Sequence, residues 1–182
     1  MNQQEPSIHN NAATGAPAGR ALSPLYFYII VAVVFVTDQL SKLWVTHSLK
    51  PESPVWLVPQ AFGLTLTHNT GGAWGLLPEQ NKLFIGFAAL AILALLYAYH
   101  RMQRVDLLVG AAFALAMGGA LGNLLDRLRL HYVVDFFEAR IIRWPIFNIA
   151  DSAISLGIVL LLAHFLLTSR QPRLQDRVTE GA

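Results

Sequence analysis

Two aspartates stand beside segments apolar enough to lie in lipid: Asp135 in Tyr132-Val-Val-Asp-Phe136 and Asp151 in Phe147-Asn-Ile-Ala-Asp-Ser152. Further polar residues keep the same company, with Asn123, Asp126 and Arg127 closing Gly118-Gly-Ala-Leu-Gly-Asn-Leu-Leu-Asp-Arg127 and Asn148 preceding Asp151. Charge beside hydrocarbon is costly, and residues kept there are by default candidates for function. Two neighbouring carboxylates sharing a proton can deprotonate water and protonate a carbonyl oxygen together. Peptide hydrolysis without a metal or a covalent nucleophile needs both transfers. Burial and proximity keep such a pair from ionising fully, and it titrates jointly. A helix starting near Asn148 would turn its positive end to Asp151 and favour negative charge there.

Each residue also has a plainer reading. Asn148 sits where a helix N-cap belongs, and Asp151 falls where a carboxylate reaches back to the cap. Asp135 can be a loop carboxylate paired with Arg127, Arg129, Arg140 or Arg143. Asp126 and Arg127 suit a helix end reaching water and Asn123 a helix-helix hydrogen bond, so for these three structural support outweighs catalysis. In Thr37-Asp-Gln-Leu-Ser-Lys42, Asp38 and Lys42 share one helical face. They can close a helix end, with Lys42 snorkelling and Trp44 anchoring, or join the site directly. Asn69-Thr-Gly-Gly-Ala-Trp-Gly75 either presents backbone amides to a bound peptide or makes an ordinary glycine turn.

The elements that must position these residues follow from composition. The 182 residues are 54% hydrophobic and 13% charged, against about a quarter charged in soluble domains. Apolar runs at about 25–45, 83–99, 107–125 and 149–167 are each long enough to cross about 30 Å of hydrocarbon. The expected class is an α-helical polytopic membrane protein. Residues 1–24 and 169–182 are tails, and 25–168 is one membrane-embedded unit with connecting segments at 46–81 and 126–148. The first apolar run is too long for a cleaved leader and reads as an uncleaved signal-anchor. In the first connection, 55–58 and 63–68 read as strands around a turn at 59–61, a sheet too small to stand away from the bilayer surface.

Several classes are set aside. A net charge of +2 without a basic stripe argues against nucleic acid. The absence of cysteine removes thiolate chemistry, and the six histidines have no ligand spacing, so neither metal nor cofactor is expected. Basic residues nearly balance between the termini side (Arg20, Arg101, Arg104, Arg170, Arg173, Arg177) and the other side (Lys42, Lys50, Lys82, Arg127, Arg129, Arg140, Arg143), which leaves orientation uncoded.

On Thr37–Lys42, Asn69–Gly75, Gly118–Arg127, Val133–Phe136 and Phe147–Ser152, five motifs in this order between the spans, the chain resembles the bacterial lipoprotein signal peptidases (signal peptidase II). The resemblance implies a four-span aspartic endopeptidase of the bacterial inner membrane. Both termini would be cytoplasmic, and the site and small sheet periplasmic. Its substrates would be prolipoproteins cut on the amino side of a diacylglyceryl-modified cysteine, met in membrane lipid with no obligate protein partner. By position the dyad falls on Asp135 and Asp151. Residues supporting it or contacting substrate fall on Asp38, Lys42, Asn69, Gly71, Asn123, Asp126, Arg127 and Asn148. One departure is visible: Gly72 and Trp74 stand where alanine and phenylalanine are usual. Two other classes would also place acids near spans. A small proton- or cation-coupled transporter is one, although no internal repeat supports it; a non-enzymatic scaffold is the other.

Overall fold

The computed structural model describes residues 21–72, 76–102, 105–142 and 144–169; Trp74, Arg143 and most of both tails lie outside them. Among the described residues, four helices are long and apolar enough to cross a membrane: α1 (Pro24–Ser48), α2 (Asn81–Arg101), α3 (Leu107–Arg129) and α4 (Ile149–Ser169). Ser23 caps α1 by accepting from the Tyr26 amide, with Pro24 in the first turn where its missing N–H costs nothing. Asp106 caps α3, accepting from the Leu108 amide at 2.9 Å. The α1 helix runs unbroken through Asp38 and Lys42, because both side chains are buried against neighbouring helices.

The centre of the bundle is α3. Of its most apolar stretch 56% is buried, against 6% for α2, although the two have similar hydropathy. Small residues make the difference, since without a hydrophobic drive between helices in lipid it is close packing that holds them together. A Cβ on Gly119 would collide with the Ala150 carbonyl of α4, and one on Gly122 with the Asp38 carboxylate of α1. The chain can bring three helices together there because two of the contact positions lack a side chain.

A three-stranded antiparallel sheet, ordered β1 (Val55–Val58), β2 (Phe62–Asn69), β3 (Val133–Ala139), covers one end of the bundle. Its first two strands are the expected hairpin around residues 59–61. The third lies in the connection between α3 and α4, where the sequence shows no alternation. That is consistent with the burial, since Val133, Val134, Asp135 and Phe136 are all buried and both faces are covered. Val134 and Phe136 pack with Leu64, Leu66 and Val45. Val133 and Asp135, on the opposite face by the two-residue period, line a cavity instead. Between the pairs Leu64/Phe137 and Thr67/Asp135, β2 carries one residue more than β3. Such a bulge bends the strand and re-aims the residues beyond it.

Candidate active site

Asn148 organises the two carboxylates. Its Nδ2 donates to Asp135 Oδ1 at 2.7 Å, and its backbone N–H donates to Asp151 Oδ2 at 3.2 Å. The Asp151 amide donates to Asn148 Oδ1 at 2.8 Å, which completes a reciprocal cap on α4. The capping reading of Asp151 and its membership of the cluster therefore hold together. Asp151 keeps its other oxygen for the pair, accepting from Asn123 Nδ2 at 2.8 Å. The remaining Asp135 oxygen accepts from Asn69 Nδ2 at 2.9 Å. Asn69 is oriented by its own backbone, since Oδ1 accepts from the Gly71 amide at 3.0 Å. Asp135 makes no ion pair with Arg127, Arg129 or Arg140 within 4 Å, although the Arg127 charge is attracted to it; Arg143, the fourth candidate partner, lies outside the described residues. Arg140 instead pairs with Glu138, at 3.0 Å.

Behind the pair lies a buried charge network. Lys42 Nζ donates to Asn123 Oδ1 at 2.9 Å and meets Asp38 Oδ2 at 2.8 Å and Asp126 Oδ2 at 2.9 Å, which uses all three ammonium protons. The snorkelling reading of Lys42 is overturned: the residue is 3% exposed, and Asp38 is fully buried. The physical reason is valence. Two carboxylates and an amide oxygen inside the bundle replace the water that Lys42 would otherwise seek. Asp38 Oδ1 accepts from the Ala150 amide at 2.9 Å, and Asp126 Oδ2 from the Val134 amide at 3.1 Å. The network thus ties α1 to the first turn of α4, and the end of α3 to the strand that carries Asp135.

Asp126 and Arg127 do not reach water either, at 4% and 7% exposed. Arg127 donates through one NH2 group to the Gly71 carbonyl at 2.7 Å, which is how Gly71 enters the site. Its other terminal nitrogen has no hydrogen-bond partner among the described residues. Three residues escaped the sequence reading. Gln39 Nε2 lies 3.1 Å from Asp126 Oδ1 and 3.2 Å from Asp38 Oδ2, and its polarity within an apolar run was an available signal. Asn81 Nδ2 donates to the Arg127 carbonyl at 3.0 Å, and Phe84 lies under the Arg127 guanidinium. Phe84 gives no signal at all, being one apolar residue in an apolar helix.

A cavity of about 230 Å³ opens onto both acids, lined also by Asn69, Gly72, Asn123 and Arg127. Two further cavities of about 320 Å³ adjoin it. One lies under Thr67 to Gly72, and the other, mostly apolar, lies between Ile142, Trp144, Phe147 and Ser155. Asp135 is pushed up to about 7, first by burial and then by the Asp151 charge, against the opposing pull of Asn69, Asn148 and Lys42. A carboxyl tuned to neutrality beside a second carboxylate can carry a proton into a reaction.

The model of the signal peptidase (SPase) II family matches residues 30–167. The chain belongs to the signal peptidase II family. This is an aspartic peptidase family, and the chain is accordingly an aspartic-type endopeptidase. It is 40% identical to the lipoprotein signal peptidase of Moorella thermoacetica over 141 residues, covering 78% of this chain and 93% of the relative. With that of Bacillus subtilis it shares 35% over 147 residues, covering 80% and 96%. A bacterial membrane enzyme solved by the in meso method at 2.3 Å resolution superposes with a TM-score of 0.81 at 28% identity, over 86% of this chain and 97% of that one. A second, solved at 1.9 Å, gives a TM-score of 0.74 at 30% identity, over 81% and 96%. Four membrane-length helices in a signal peptidase II family member fit a bacterial inner-membrane protein.

Proposed function

We propose that this chain removes signal peptides from bacterial prolipoproteins by hydrolysing the bond on the amino side of a diacylglyceryl-modified cysteine, with Asp135 and Asp151 as the catalytic pair. The observation that carries the assignment is the bridging Asn148, which holds one oxygen of each carboxylate at 2.7 and 3.2 Å on a shared cavity. In the reaction Asp151 takes a proton from water as the water oxygen attacks the scissile carbonyl carbon, while Asp135 gives its proton to the carbonyl oxygen. Collapse of the tetrahedral diol returns a hydroxyl proton to Asp135. Asp151 passes its proton to the leaving nitrogen, so the pair ends as it began.

The supporting residues divide by reach. Lys42, Asp38, Asp126, Asn123 and Asn148 hold the pair; Asn69 both holds Asp135 and, with Gly71 and Arg127, stands at the walls of the adjoining cavities where an extended peptide would be clamped. The apolar cavity beside Asp151 suits the acyl chains, which can stay in lipid while the peptide crosses the pair. This reading puts the site on the periplasmic side and both termini in the cytoplasm. It also takes residues 25–168 as one peptidase unit between two tails.

The test is cleavage of a lipid-modified preprotein in detergent by wild type, Asp135→Asn and Asp151→Asn, with a chelator throughout and unlipidated preprotein as control. Wild type is expected to cut only the lipidated form. Each variant should lose about 10³-fold or more in turnover while still folded. Near-normal turnover in either variant sinks the pair, and proton flux in liposomes then tests the transporter reading.

A further inference from the structure

The α2 helix is the outlier of the bundle, with only 6% of its apolar stretch buried. Its first turn is different. Asn81 and Phe84, one turn apart on the same face, both reach Arg127: Asn81 Nδ2 donates to the Arg127 carbonyl at 3.0 Å, and the Phe84 ring centroid lies 4.5 Å below the guanidinium carbon. The Phe84 ring also abuts Gly72. A Cβ at position 72 would come within 2.9 Å of Phe84 Cζ and 3.0 Å of Cε1, closer than carbon atoms pack. Gly72 is in turn held by its N–H donating to the Leu76 carbonyl at 2.8 Å. What glycine supplies at position 72, where the resemblance leads one to expect alanine, is therefore room for a ring.

These contacts form one continuous set running from the glycine loop through an aromatic ring to a buried cation. The Arg127 guanidinium is anchored at one NH2 by the Gly71 carbonyl at 2.7 Å and from below by the ring. Its remaining terminal nitrogen is left without a partner among the described residues. A desolvated arginine on an aromatic face is attracted by the ring quadrupole and loses swing freedom. We propose that Phe84, seated in the space left by Gly72, is a positioning residue that fixes the Arg127 guanidinium at the wall of the cavity and so sets the affinity for substrate. The proposal rests on the peptidase reading only in naming the ligand.

The experiment measures binding of a lipid-modified preprotein peptide to purified full-length protein carrying Asp151→Asn, alongside melting temperature. Turnover of the protein with Asp151 intact, measured separately, reports on the peptidase reading itself. Phe84→Leu should weaken binding about 3- to 10-fold and Phe84→Tyr by less than about twofold, with the melting temperature little changed. In an Arg127→Met background, Phe84→Leu should then add less than about twofold, because the ring acts through the cation. Gly72→Ala crowds the ring and should weaken binding by a similar factor with Arg127 present but by less than about twofold in the Arg127→Met background, which gives a reading even if Phe84→Leu does not fold. Unchanged affinity in both Phe84→Leu and Gly72→Ala overturns the proposal. So does an equal loss from Phe84→Leu with and without Arg127.

Discussion

The two ends of α3 are held by opposite means. At its start, Val109, Ala114 and Met117 pack with Leu22, Phe27, Val31, Tyr99 and Val105, and Phe27 stacks on Tyr99 at 3.8 Å between ring centroids. At its end, Asn123, Asp126 and Arg127 bind through hydrogen bonds and charge, with Lys42 and Asp38 on one side and Asn148 and Asp151 on the other. The apolar end is fixed by shape, and a misfit there loses contacts in proportion to the gap. The polar end is fixed by valence, and one missing partner leaves a buried charge. The site occupies the second kind of region because chemistry needs charge, and charge inside a bundle persists where partners hold it, as they do for Lys42, Asp38 and Asp126.

The largest effect should come from breaking that valence. Lys42→Met leaves Asp38 and Asp126 buried without their cation and should cost about 3–5 kcal/mol, read as a loss of folded protein in detergent melting, with turnover lost alongside. A mild phenotype would mean the network is better hydrated than its burial indicates. At the other end, Phe27→Ala removes a stacked ring and should cost about 3 kcal/mol, while the pH dependence of the remaining activity keeps its wild-type shape. A shifted pH profile in Phe27→Ala would deny that the two ends are independent.

The pH dependence sharpens the contrast further. With Asp135 pushed up to about 7 from an unfolded value near 4, the folded chain binds more protons than the unfolded one across that interval. Stability from this group is therefore greatest below about pH 4, and it falls as pH rises to about 7. Asp135→Asn removes that penalty, so its melting temperature relative to wild type should rise between pH 5 and pH 8; a flat difference would place the proton elsewhere. The wild-type rate should have an alkaline limb near 7 that belongs to the pair jointly. The smallest effect is expected outside both regions. Arg140 stacks on Trp56 at 4.3 Å and pairs with Glu138, but its side chain is 53% exposed. Arg140→Ala should cost no more than about 1 kcal/mol, checked by melting.

Much of the bundle was legible from hydropathy, because spans of sufficient length are a one-dimensional property. The first two strands were legible for a similar reason, with Leu64 and Leu66 alternating with Thr65 and Thr67. The strand carrying Asp135 was not, since covering both of its faces erases the alternation that marks a strand. Lys42, Asp126 and Arg127 were recognisable as polar residues near lipid, yet sequence left open whether they reached water. Burial decides that, and burial depends on which helices meet.

Taken alone, the sequence determined that membrane-length helices would form and that Asn123, Asp135 and Asp151 stand beside apolar segments; that they gather was what the resemblance implied. Periodicity, chain length and residue type are local quantities, and they suffice for this. Only the tertiary structure decided that Asn148 bridges the two carboxylates, that Lys42 spends all its protons inside the bundle, and that Phe84 rather than solvent lies under Arg127. Those outcomes depend on distances between residues far apart in the chain; the first two go with the close approach that Gly119 and Gly122 allow between helices, the third with the room left at Gly72.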